Sequence, residues 1–271
     1  QRLSVVVDED ATLVLAGANS YSDATRIQAG ILELGGTSTL PSNAALSLSG
    51  GSAGNVTTLR LNGTAQLIGP LSAQSEFTLV DLSASGAKLT TTIAAQGSSF
   101  AGAFSGNGQL NKMGSGVLSV SGASPAFLGD TTVTAGTLAV SQGNGLGSGK
   151  VTVEPGGQLQ LNNGGSTEMA FTASSIELKD DAAVTGAPAL QASGAVAFGQ
   201  EVKLITPAAI GVESGGVLRL TGAPSLTGLA LTKVGEGTLQ VLTGNATRTS
   251  ATTITAGTLA VSQGNGLGSG K

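Results

Sequence analysis

Short runs in which apolar and polar residues alternate recur along the whole chain. One run is Val151-Thr152-Val153, and another, residues 157–161, reads Gly-Gln-Leu-Gln-Leu. A two-residue period places the apolar side chains on one face of an extended strand, which is typical of half-buried β-strands. The segments between runs are rich in glycine, which adopts positive φ at little steric cost. Helical signals are nearly absent, so the pattern predicts an all-β fold.

The unit Gly-x-Leu recurs at a nearly constant interval. Within two stretches of the chain, successive units lie about 20 residues apart, at Gly116, Gly136, Gly157, Gly216, Gly237 and Gly257. A unit of this length cannot bury a core alone, but stacked units place leucine over leucine and valine over valine. We therefore expect residues 1–271 to form a single continuous parallel β-solenoid with about 20 residues per coil.

A longer repeat contains the short one. Residues 134–150 recur letter for letter at 255–271, and the similarity continues upstream at the same offset. A third and more divergent copy lies near the start of the chain. The three copies lie near residues 7–36, 112–150 and 233–271.

The pattern is less regular between the copies, at about 64–110 and 164–210, where we expect irregular coils or loops. The densest charge cluster in these stretches, Glu177-Leu178-Lys179-Asp180-Asp181, is expected to be a solvated turn. The interior of a narrow coil favours small branched side chains. We therefore expect the six phenylalanines to be occasional core fillers or loop anchors; they are Phe77, Phe100, Phe104, Phe127, Phe171 and Phe198.

The three copies share an order of residues with a known repeat. Two copies open with Lys-x-Gly-x-Gly-x-Leu, at Lys112 and Lys233, and continue with Thr-x-Val or Thr-x-Ile and then Gly-x-Leu, from Thr131 and Thr252. In the first copy the corresponding positions are Leu13, Leu15, Gly17, Asn19, Tyr21, Thr25, Ile27, Gly30 and Leu32. This order resembles the passenger-associated transport repeat of bacterial autotransporters.

The copies depart from the repeat at two places. The first copy has Val7, Glu9 and Ala11 in place of the Lys-x-Gly-x-Gly opening. The other two lack Asn-x-Tyr and have Ser124-Pro125-Ala126 and Asn245-Ala246-Thr247 there. The resemblance nevertheless implies a secreted, right-handed parallel β-helix that a C-terminal outer-membrane barrel carries to the surface of a Gram-negative cell.

Composition excludes several kinds of chemistry. The 271 residues include 43 glycines but no histidine, cysteine or tryptophan, so this segment contains no Ser-His-Asp triad, zinc finger or disulfide. Charged residues make up 10% and the net charge is -4, which leaves no basic patch for nucleic acid. No apolar run is long enough for a transmembrane helix. The first residues contain no initiator methionine or leader, so we expect a mature fragment.

Three sequence features invite a catalytic or binding interpretation. Residues 50–54 match G-x-S-x-G, but no histidine is present to activate the serine, so a turn is expected. Residues 143–150 resemble a phosphate loop with the wrong spacing, followed by a strand instead of a helix, so a solenoid corner is expected. The acidic groups at 8–10 and at Asp180 with Asp181 alternate between faces. We therefore predict no catalytic, metal or cofactor site and no enzyme activity in this segment.

The resemblance favours a non-enzymatic role. We expect an extracellular segment of a passenger domain, on the bacterial cell surface, that mediates adhesion or aggregation. Its partners would be molecules on host or neighbouring cells, with self-association also possible and multivalent contacts supplying the affinity. Two alternatives remain: a subunit that stacks end to end into an extracellular filament, and an inert stalk that presents an enzymatic domain encoded elsewhere.

Overall fold

The computed structural model describes residues 5–8, 11–179, 187–222, 229–244 and 250–263. The described residues form 29 β-strands and no helix, which confirms the all-β prediction. They contain no helix that could span a membrane. Contacts divide the chain into two compact units, residues 1–132 with 145–148 and residues 133–144 with 149–271. The prediction of one continuous segment stays a prediction.

Short strands make up the first unit. They are β1 (Val5–Val7), β2 (Thr12–Ala18), β3 (Thr25–Ile27), β4 (Ile31–Thr39), β5 (Leu46–Leu48), β6 (Thr57–Arg60), β7 (Ala65–Ile68), β8 (Leu71–Ala73), β9 (Thr78–Asp81), β10 (Lys88–Thr92), β11 (Ser98–Phe100), β12 (Ala103–Ser105), β13 (Gln109–Met113) and β14 (Val117–Val120). They pair in three groups, β1-β3-β5-β8-β11-β14, β7-β10-β13 and β2-β4-β6-β9-β12. The chain passes from one unit to the other within β15 (Thr131–Val133).

The second unit has the same construction. Its strands are β16 (Gly136–Val140), β17 (Lys150–Val153), β18 (Gly157–Asn162), β19 (Met169–Phe171), β20 (Ser175–Leu178), β21 (Leu190–Ser193), β22 (Ala195–Phe198), β23 (Glu201–Leu204), β24 (Ala208–Val212), β25 (Val217–Leu220), β26 (Leu231–Val234), β27 (Thr238–Val241), β28 (Thr252–Ile254) and β29 (Thr258–Val261). They pair as β16-β18-β21-β24-β26-β28, β17-β20-β23 and β19-β22-β25-β27-β29.

Within each unit, like side chains stack on like. The strands pair in parallel, and β16 pairs with β18 so that Leu138 lies over Leu159. In the first unit Leu46 lies over Leu71 in the same way. Strands recur at intervals of roughly 21 residues, in about 11 turns over the two units. This register confirms the predicted parallel β-solenoid, with a coil slightly longer than the sequence predicts.

Alternating burial explains why the apolar positions have a period of two. Along β18 every second side chain is buried, and Leu159 and Leu161 have no exposed surface. Burying a leucine side chain stabilises a fold by roughly 1.5–3 kcal/mol. Each added coil buries further leucines against the preceding coil and so adds a similar stabilisation. Only side chains that fit the coil below can occupy these inward positions. The interior therefore consists of continuous aliphatic stacks.

Each unit has one cluster of aromatic side chains in its interior. In the first unit the ring centroid of Phe104 lies 4.7 Å from that of Phe100 and 5.9 Å from that of Phe127. In the second unit the centroids of Phe171 and Phe198 are 5.9 Å apart. These five rings are buried, which confirms the prediction of core fillers. Phe77 is the exception among the six, because it is only half-buried.

The two less regular stretches of sequence contain regular structure, so the expectation of irregular coils was wrong. Strands β7 to β13 cover much of 64–110, and β19 to β24 cover much of 164–210. Hydrogen bonds between coils hold these strands in place, although few Gly-x-Leu units mark them. The expected turn at 177–181 is also corrected, since Glu177 and the buried Leu178 end strand β20. Residues 180–186 lie outside the described residues.

Glycine is required where a corner passes close to the backbone of the preceding coil. A Cβ atom on Gly116 would lie 1.7 Å from the carbonyl oxygen of Ala94. Backbone cannot move aside as a flexible side chain can, so any larger residue must distort the corner. The equivalent residue in the later copy, Gly237, meets the carbonyl oxygen of Glu213 at 2.2 Å.

We expect Gly116→Ala to lower the free energy of unfolding by about 3 kcal/mol, because the added methyl group overpacks the corner. Gly54→Ala is the matched control, since a Cβ there has no atom within 4 Å and the backbone is not left-handed. Urea denaturation followed by circular dichroism measures both variants. Equal stability of Gly116→Ala and the unchanged chain would contradict this account of the corner.

Candidate functional site

The two lysines of the repeat opening are buried. Lys112 on β13 and Lys233 on β26 have no exposed surface. The Nζ of Lys112 donates to the carbonyl oxygen of Gly114 at 2.7 Å. The Nζ of Lys233 donates to the carbonyl oxygens of Val234 at 2.8 Å and Gly235 at 2.6 Å, and it also reaches Ala256 O at 3.2 Å. Each lysine therefore stabilises the glycine turn that follows it by hydrogen bonding to the backbone of that turn.

Burial changes the proton affinity of both lysines. Desolvation lowers the pKa of Lys112 to about 8, because an ammonium ion is harder to remove from water than a neutral amine. Burial also lowers the pKa of Lys233, against the opposing effect of the nearby Glu236 carboxylate. Both ammonium groups donate to backbone carbonyl oxygens of the adjoining turn. Their arrangement indicates a structural role within the repeat.

A hydroxyl pair marks the first copy of the repeat. The Tyr21 hydroxyl lies 2.5 Å from the Thr25 Oγ1 atom, and burial raises the pKa of Tyr21. The equivalent threonines of the other copies, Thr131 and Thr252, have a buried Oγ1 atom with no hydrogen-bond partner among the described residues. The hydroxyl group of the repeat threonine thus has a hydrogen-bond partner where a tyrosine precedes it by four residues.

Counting back from the repeat threonine gives another alignment of the second copy. Phe127, and not the segment 124–126, stands four residues before Thr131, as Tyr21 stands four residues before Thr25. Phe127 is fully buried against Phe104 and carries no hydroxyl group. The missing hydroxyl accounts for the unpartnered oxygen of Thr131. In the third copy the same position, 248, lies outside the described residues.

The G-x-S-x-G segment forms a tight turn, as expected. Ser52 and Asn55 exchange two backbone hydrogen bonds, of 2.8 and 3.0 Å, so the chain reverses at once and leads into strand β6. The φ angles of Gly50 and Gly51 are 80° and 77°. A nucleophile elbow needs a strand that leads into a helix, and the described residues supply none. The chain contains no histidine that could act as the base of a nucleophilic serine.

The phosphate-loop-like segment is a corner, as expected. Residues 143–148 form turns, and Lys150 opens strand β17. The Nζ of Lys150 lies 3.4 Å from the Glu177 carboxylate on the next strand, β20, so its charge is paired within the second unit. The neighbouring Lys179 pairs with Glu154 at 2.8 Å. The duplicate at 264–271 lies outside the described residues.

Most of the acidic residues singled out in the sequence lie outside the described part of the chain. Asp8 is exposed, whereas residues 9, 10, 180 and 181 lie outside the described residues. No group of three or more acidic side chains that could hold a metal ion occurs within the described part of the chain. Several other carboxylates pair with cations on neighbouring coils, as where Arg60 lies 3.2 Å from both Glu33 and Asp81.

A row of serines runs across the coils of the first unit, and sequence analysis did not identify it. Ser47 pairs with Ser72, and Ser99 pairs with Ser119. Because Phe100 pairs with Ala73, Ser99 follows Ser72 in the same row. We call Ser47, Ser72, Ser99 and Ser119 the serine row. The intervals between these serines along the chain are unequal, so only the register of the strands reveals the row.

The first unit also contains a shallow groove beside β7. It has a volume of about 490 Å³ and is lined by uncharged residues, including Tyr21, Thr39, Pro41, Ala65 and Leu67. We call it the β7 groove. A smaller polar groove of about 370 Å³ lies beside β19 in the second unit, between residues 141–143 and 163–170. Neither groove brings together the groups of a catalytic site.

The buried Lys112 predicts a specific dependence on pH. Its pKa is lower in the folded chain than in the unfolded chain, so the unfolded state holds more protons between about pH 8 and 10. Stability should therefore rise with pH across this window, and below it the contribution of this group should not change with pH. In Lys112→Met the rise should be smaller. Urea denaturation at several pH values measures it, and identical pH profiles would contradict the account.

The hydroxyl pair predicts that two substitutions change the free energy of unfolding in opposite directions. Tyr21→Phe should lower the free energy of unfolding by about 1 kcal/mol, because Thr25 loses its partner. Phe127→Tyr should raise it by a similar amount if the new hydroxyl reaches Thr131. Thermal unfolding of both variants measures the two effects. A loss of stability in Phe127→Tyr would show that the interior around Phe104 has no room for the hydroxyl.

Comparison with known proteins identifies the repeat. The model of the passenger-associated-transport-repeat family matches residues 9–34, 110–140 and 231–261, each of which overlaps one predicted copy. No curated protein and no solved structure matches the chain. Repeats of this family imply secretion to the cell surface. The chain therefore carries three passenger-associated transport repeats on a parallel β-solenoid, and in this it fits an autotransporter passenger.

Proposed function

We propose that this chain is a non-enzymatic part of an autotransporter passenger that mediates adhesion or aggregation at the bacterial cell surface. The observation that carries the proposal is the parallel solenoid built around three transport repeats. Stacked coils hold outward side chains at a fixed spacing of ~4.8 Å. Such a surface can repeat one weak contact many times, in the manner of a multivalent binder.

The serine row is the surface to which we assign these contacts. Ser99 and Ser119 are exposed, and Ser47 and Ser72 are half-buried. A hydroxyl group both donates and accepts hydrogen bonds, so a row of four suits polar, uncharged groups on another cell or another copy of the protein. Each bond contributes only about 1 kcal/mol, and several must form together.

The proposal predicts the effect of removing the hydroxyl groups of the row. A chain with all four serines changed to alanine should support less cell attachment and slower settling of cell suspensions, because the multivalent contact is lost. The protein that contains this chain is displayed on Gram-negative cells, once with the four serines and once with the four alanines. Surface antibody labelling ensures that both forms reach the surface in equal amounts.

The matched control changes four exposed serines outside the row to alanine, namely Ser85, Ser121, Ser141 and Ser174. This control should behave as the unchanged protein does. A second control deletes residues 1–271. If the deletion leaves attachment and settling unchanged, the segment is a stalk and the adhesive role is wrong. If only the deletion has an effect, the contacts lie elsewhere on the solenoid.

A further inference from the structure

Among the described strands, β7 has a partner on one edge only. It is the first strand of its sheet, and its neighbour on one side is β10. The N–H of Lys88 on β10 donates to the carbonyl oxygen of Thr64 at 3.1 Å. In a parallel ladder, alternate residues turn both backbone groups to the same side. Gln66 and Ile68 therefore face β10, and the N–H and C=O groups of Ala65 and Leu67 face away from it.

On that edge the side-chain amide of Gln66 makes hydrogen bonds to the preceding coil. The Gln66 Nε2 donates to the carbonyl oxygen of Ser38, and the Gln66 Oε1 accepts from the N–H of Leu40, both at 2.8 Å. The buried amide thus binds the backbone of the preceding coil at a place where no strand of that coil pairs with β7. No described residue hydrogen-bonds to the backbone groups of Ala65 or Leu67.

These free groups open into the β7 groove. Ala65 is exposed, and Leu67 is 42% exposed. On the opposite side of the groove two polar side chains are already engaged. The Tyr21 hydroxyl is paired with Thr25, and the Asn19 Nδ2 donates to the carbonyl oxygens of Gly17 and Thr39. The groups left to bind a ligand are the backbone groups of β7 and the hydroxyl groups of Ser20, Thr39 and Ser42.

We propose that the β7 groove binds an extended, uncharged segment of polypeptide, which adds to Ala65 and Leu67 as a further strand. An unpaired strand edge is a template for another chain, and its spacing of donors and acceptors matches a peptide backbone. The lining carries no charge, so it offers nothing to an acidic or basic segment. The inference concerns peptide binding by the purified chain. It does not depend on the proposed adhesive role, and the two proposals are tested separately.

The test uses a peptide of known strand-forming sequence. Residues 136–141, Gly-Thr-Leu-Ala-Val-Ser, begin with strand β16 and carry no charge. This hexapeptide, with both ends blocked, is titrated into the ¹⁵N-labelled chain. We expect the amide signals of Ala65 and Leu67 to move and their hydrogen exchange to slow by at least about threefold. A peptide that moves other signals and leaves these two unchanged would overturn the proposal.

Two variants separate backbone pairing from apolar contact. Leu67→Pro removes the outward N–H but leaves the ladder to β10, and edge strands tolerate proline. It should weaken binding at least about fivefold, whereas Leu67→Ala keeps the N–H and should weaken it less. Leu128→Ala, which changes an exposed leucine outside the groove, should have no effect. Binding by Leu67→Pro as tight as by the unchanged chain would overturn the proposal.

A third arm needs no change to the protein. Hexapeptides methylated on alternate backbone nitrogens lose the donors along one edge or the other. We expect one of the two methylated forms to lose binding and the other to retain it. Equal binding of both forms, or displacement of the peptide by a neutral oligosaccharide at similar concentration, would show that the groove recognises something other than a backbone edge.

Discussion

Backbone hydrogen bonding between successive coils is the constraint on which this structure depends. Strands recur at intervals of roughly 21 residues and pair in parallel within each unit, so paired inward side chains stack ~4.8 Å apart. That spacing admits only side chains of matching shape, which is why Leu138 lies over Leu159. It also brings the corners so close to the coil below that Gly116 has no room for a Cβ atom.

The same constraint governs the polar groups of the interior. A buried donor or acceptor must find its partner in its own coil or in a neighbouring one, because closely packed coils exclude bulk solvent. Lys112 and Lys233 meet this need by donating to the turns that follow them. Gln66 meets it by joining the preceding coil where no strand pairs with β7. Thr131 does not, since Phe127 lacks the hydroxyl group that Tyr21 provides for Thr25.

The outer face is free of these packing demands, and binding surfaces can develop there. Outward positions need only be soluble, so their side chains can change without disturbing the interior stacks. The strand register nevertheless holds them in fixed rows, as in the serine row, and a rigid row turns weak polar contacts into a multivalent surface. The adhesive role proposed for the serine row requires only this fixed spacing of outward side chains.

The sequence by itself determined the fold class, because alternating residues and a short, nearly constant Gly-x-Leu interval suit a stacked β-coil. It also determined the repeat family, because Lys112, Gly114, Gly116 and their counterparts stand at diagnostic spacings. Only the tertiary structure decided where the chain stays regular without Gly-x-Leu, which side chains line up across coils and that one edge of β7 has no partner strand. The physical reason is that coil lengths vary, so residues such as Ser72 and Ser99 become neighbours only through hydrogen bonds between coils.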